Sequence, residues 1–96
     1  MGIAASQARL TMITARQSDL EFQMQGITQQ RSLLAMQAAQ SQDTNSSQST
    51  QIQAVDKQLE SKMLQLETQQ KMVNTEYDSV KKTMDDSITR SFKTLA

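Results

Sequence analysis

The chain has 96 residues, ten basic and ten acidic side chains, and no cysteine, histidine or proline. That length holds one small domain with a modest core, and the missing Cys and His exclude disulfides, thiolate or imidazole metal sites and the usual general base at neutral pH. A net charge of zero argues against the phosphate neutralisation that nucleic-acid binding requires, so no nucleic-acid partner is expected.

The N-terminus MGIAASQARL lacks the basic and then apolar order of a cleaved secretory signal. Its first six residues fit the N-myristoylation pattern, with Gly2 as acceptor and Ser6 as the fixed hydroxyl, although an initiator Met before a small residue is the simpler account. The longest apolar run, Leu33 to Met36, falls far short of the ~20 residues of a membrane span, so no transmembrane segment is expected. Localisation stays open between the cytoplasm and export without a cleaved signal peptide.

Gln, Ser and Thr supply more than a third of the residues, a composition compatible with disorder. Periodicity points the other way. In the first half Ile13, Leu20, Ile27 and Leu34 recur every seven residues, accompanied by Ile3, Leu10, Gln17, Met24, Arg31 and Ala38. This is an a/d heptad seam and predicts a helix over about 3–40. Gly26 lies inside it and costs on the order of 1 kcal/mol relative to Ala without ending it.

A polar stretch, 41–50 (SQDTNSSQST), reads as a linker. Thr50 and Gln53 fit a capping box opening a second helix over about 51–95. There Ile52, Leu59, Leu66, Val73 and Val80 repeat every seven, partnered by Asp56, Met63, Gln70, Tyr77 and Met84. Glu67 with Lys71, Asp78 with Lys82, and Asp86 with Arg90 add opposite charges one helical turn apart. The fold class is therefore all-α: two long antiparallel helices, a coiled-coil-like helical hairpin, joined by a polar linker in a single domain spanning 1–96. The same seams would also serve two chains paired as long helices.

Folding back at the linker sets Arg31 near Leu59, Ile27 near Met63, Gln17 near Val73 and Leu10 near Val80. Four seam positions are polar: Gln17, Arg31, Asp56 and Gln70. In one reading a two-helix seam is half wet, and their stems lie along it with the heads in water. In the other they fix register and partner choice, Arg31 pairing with Asp56 one layer away.

Towards the C-terminus the apolar spacing changes to fours at Val80, Met84, Ile88 and Phe92, followed by Leu95. Ile3 reaches back only to about Ile88, so Phe92 and Leu95 overhang the first helix. Met12, Phe22, Leu33 and Met36 form a second apolar set off the first helix's seam. Isolated exposed apolar residues are ordinary, but the C-terminal ones form a continuous stripe, and together with the second set they predict self-association or docking to another helical protein.

Catalysis finds no support in the residues. Asp85 with Asp86, and Glu60 with Glu67, are what a solvated helix face carries, Tyr77 falls in the seam, and there is no phosphate-binding glycine loop or nucleophile elbow. No enzymatic activity and no cofactor are expected.

The opening MGIAASQAR, Thr14-Ala15-Arg16 with Asp19 and Glu21, Gln29-Gln30-Arg31 and the closing SFKTLA resemble a group of short bacterial helical proteins of uncharacterised activity. The resemblance implies a small all-helical protein and assigns no functional residue. In composition, size and the apolar end ITRSFKTLA, the chain is also similar to the axial subunits of flagellar and type III secretion systems. In helix-turn-helix plan it resembles the small secreted hairpins of type VII systems. It departs from them in lacking the central Trp-x-Gly turn and in placing Lys81 four residues after Tyr77.

Two functions follow as expectations. One is a self-assembling structural subunit, such as part of a bacterial secretion apparatus or filament. The other is a cytosolic coiled-coil adaptor or chaperone that binds another helical protein.

Overall fold

Residues that alternate apolar positions by threes and fours, with no proline to interrupt them, form two helices in the computed structural model: α1, Ile3–Gln40, and α2, Ser46–Leu95. The structure describes residues 2–40 and 46–95, the side chains of 46 and 47 excepted. The helices are antiparallel and pack against each other, a helical hairpin without strands among the described residues.

The Ser/Thr-rich composition is reconciled with helix by a repeated local bond. Thr11 Oγ1 donates to the Gln7 carbonyl at 3.0 Å, Thr28 to Met24 at 3.0 Å, Thr68 to Leu64 at 2.9 Å and Thr75 to Lys71 at 2.9 Å. Each hydroxyl thus shares a carbonyl one turn earlier instead of competing for the backbone in a non-helical conformation.

The second helix begins earlier than its sequence suggests. Residues 46–50, expected in the linker, already belong to α2, and Thr50 sits inside the helix, so it is not the N-cap of a capping box. Ser and Gln cost little in a helix interior, and each residue added to an existing helix gains a hydrogen bond without a new nucleation cost. Residues 41–45 of the expected linker lie outside the described residues.

The packing divides into two units. One joins Met1–Leu20 with Gln69–Ala96. Its core is Ile13, Leu20, Val73 and Val80, with Ser6 fully enclosed. The other unit, Glu21–Thr68, has fewer buried positions: Ile27 and Leu66 are buried, and Met24, Leu34, Ile52, Leu59 and Met63 are half-buried, as Ile3, Leu10, Tyr77 and Met84 are in the first unit. All of these side chains fall on the two heptad seams.

Candidate functional site

The sequence-derived residues divide into polar groups within the seam and apolar groups away from it. In the first unit Gln17 Nε2 donates to Asn74 Oδ1 at 2.8 Å, beside Val73, its expected neighbour. In the second, Arg31 Nε donates to Asp56 Oδ1 at 2.9 Å and its Nη2 to Oδ2 at 3.3 Å. The planar guanidinium thus grips both carboxylate oxygens. The Arg31 bond holds the Asp56 carboxyl below its ordinary pKa, and Asp56 in turn raises that of Arg31. Both side chains keep over a third of their surface in solvent, so the pair is a bridge over a half-wet seam and not a buried ion pair. Gln70 is half-buried at its seam position.

Three seam features escaped the periodicity argument. Ser6 stands one heptad before Ile13, and its hydroxyl is buried with no hydrogen-bond partner among the described residues. Its place in the sequence is therefore explained by packing: the position is fully enclosed and a small side chain fills it. Asn74 is the acceptor for Gln17. Glu76 receives two guanidinium groups, Arg9 Nη2 at 3.5 Å and Arg16 Nη1 at 3.6 Å. Arg9, Arg16 and Glu76 each directly precede an a-type seam residue (Leu10, Gln17 and Tyr77), the flanking position where coiled coils place interhelical ion pairs, and that spacing is the signal that could have revealed them.

The apolar residues away from the seam are open to solvent. Phe92 is 70% exposed and Leu95 86%, while Ile88, one turn earlier than Phe92, is half-buried. On α1, Phe22 is 73% exposed and Leu33 65%, with Met36 and Met12 similarly open. Val55, Leu64 and Met72 on α2 are exposed as well, and periodicity gave them no role. The second unit also has a groove of about 720 Å³, lined in part by Leu34, Ala35, Ala38, Ile52, Asp56 and Met63. It lies where the half-buried seam residues leave the two helices incompletely filled.

Among the described residues no three His, Cys, Asp or Glu side chains converge as a metal site would require, and no helix is long and apolar enough to cross a membrane. Compared with protein-family models, curated proteins and solved structures, the chain finds no match.

Proposed function

We propose that the chain is a non-enzymatic structural protein, a self-assembling helical-hairpin subunit of the kind that builds a bacterial secretion apparatus or filament. The observation that carries this reading is the exposure of Phe92 and Leu95 at the end of α2, with Phe22, Leu33, Met12 and Met36 open on α1. Leaving a large apolar side chain in water forfeits roughly 1.5–3 kcal/mol relative to burial, which association recovers. Ile88, Phe92 and Leu95 form one contact, and the outer residues of α1 supply a separate one. The likeness to axial secretion subunits in composition and in the apolar C-terminus supports the same reading.

The test is electron microscopy and sedimentation of the full chain beside a variant lacking residues 92–96. Large homogeneous assemblies that disappear in the shortened variant are the expected result. A stable small oligomer indifferent to the deletion would instead favour an adaptor or chaperone that lends its seam to another helical protein. The groove between Leu34, Ala38, Ile52 and Met63 is the observation behind that second reading, since it offers apolar seam positions that the chain's own helices leave half-covered.

A further inference from the structure

Between Phe22 and Gln40 the first helix carries a single charged residue, Arg31, and that one is engaged by Asp56 in the seam. The rest of this stretch is apolar, Gln, Ser, Thr or Gly. Its outward side has a heptad rhythm of its own: Phe22, Gly26, Gln29, Leu33 and Met36 are spaced by four, three, four and three. Phe22, Gln29, Leu33 and Met36 are all exposed. The facing stretch of α2 in the same unit is different: Asp56, Lys57, Glu60, Lys62 and Glu67 punctuate it, and its outward series Ser61, Gln65 and Thr68 is polar. Depletion of charge around exposed aromatic and Met side chains is the compositional mark of an interface core, not of a solvated face.

Gly26 supplies an independent observation. It has no positive φ, and a Cβ built on it would meet nothing within 4 Å among the described residues, so neither backbone conformation nor packing among them requires glycine there. A mid-helix glycine costs on the order of 1 kcal/mol relative to alanine. Close approach by a second backbone is what glycine permits and alanine resists. Its position one turn from Phe22 and two from Leu33 puts that approach within the charge-free stripe.

We infer that this stripe, Phe22, Gly26, Gln29, Leu33 and Met36, is a second heptad seam that pairs with the same stripe of a second copy of the chain, antiparallel and about a two-fold axis near Gln29. The inference rests on the self-assembly reading and names a contact distinct from the C-terminal one. An uncharged stripe is matched by itself; docked on the exterior of α2 it would strip water from Lys and Glu side chains with no partner to offer them. A two-fold contact is self-complementary by construction. Antiparallel order sets Phe22 of one copy toward Leu33 and Met36 of the other. It also places Asp19 and Glu21 against the charge-free end of the partner helix, whereas parallel order would set each acid beside its own copy. The contact spans about 21 Å at 1.5 Å per residue, four helical turns.

Single cysteines report the geometry directly because the natural chain has none. Under mild oxidation of the full chain, Gln29→Cys is expected to form a disulfide-linked dimer much faster than Met36→Cys, and faster than Thr68→Cys on the outside of α2. Gly26→Leu is expected to keep its helicity by circular dichroism while weakening self-association by about tenfold or more, the consequence of overfilling a close contact. If the natural chain associates but Gln29→Cys links no faster than Thr68→Cys, or Gly26→Leu associates normally, the stripe is not the contact and the self-assembly reading stands without it. Equal linking at residues 29 and 36 overturns the antiparallel order. A chain that stays monomeric at every concentration overturns both.

Discussion

At the level of single residues, the seam contains one group that hinders the fold and one that ties stability to pH. The Ser6 hydroxyl is enclosed without a partner among the described residues, and an unsatisfied buried hydroxyl costs about 1–3 kcal/mol. Ser6→Ala removes the hydroxyl and leaves almost no void, so the melting transition should rise, by an amount corresponding to about 1 kcal/mol. Unchanged or lowered stability would show that the hydroxyl is satisfied. Asp56 is the pH-linked group. Its folded pKa lies below the ordinary value of 3.8, so its bond to Arg31 stabilises the folded state above that value. The contribution is lost as pH falls through the lower, folded value. Chemical denaturation of Asp56→Asn across the acid range should therefore show a flatter dependence below about pH 4 than the natural chain. An identical acid limb in the two proteins would mean that the pair contributes nothing to folding.

At the level of the helices, the two units differ in how completely their seams are covered, and substitution should expose the difference. Ile13→Ala, at a position 1% exposed, is expected to cost about 2–5 kcal/mol. Leu59→Ala, at a half-buried position of the other unit, should cost clearly less; equal losses would show that the two positions are equally filled. The heptad spacing of Ile13, Leu20, Ile27 and Leu34 made α1 and its buried face legible in the sequence, because four aliphatic residues at that period line one face of a helix. The N-terminus of α2 was not legible. Residues 46–50 are small and polar, which is what linkers look like, yet they carry neither the glycine nor the proline that would stop a helix. Ser6 was missed for a related reason: a hydroxyl in an apolar series looks like an interruption until its full burial shows that the position belongs to the seam. Arg31 with Asp56 was visible as a pair one layer apart, whereas Gln17 with Asn74 was not, since Asn74 lies just outside the seam series.

At the level of the whole molecule, the candidate surfaces were legible as residues but not as an arrangement. Phe92 and Leu95 follow from counting back to where α1 begins, and both are exposed. Phe22, Leu33 and Met36 could be picked out because they miss the seam. That they belong to a stripe with Gly26 and Gln29 depends on seeing that nothing in the chain's own fold needs a glycine there. Val55, Leu64 and Met72 share no common spacing with these sets, and the structure assigns them no role. What unites the account is a hairpin whose apolar surface exceeds what its two helices can cover, and the most direct test is sedimentation velocity of the full chain over a wide concentration range. Sedimentation coefficients that climb with concentration are the predicted result; a single species of one chain at all concentrations would contradict it.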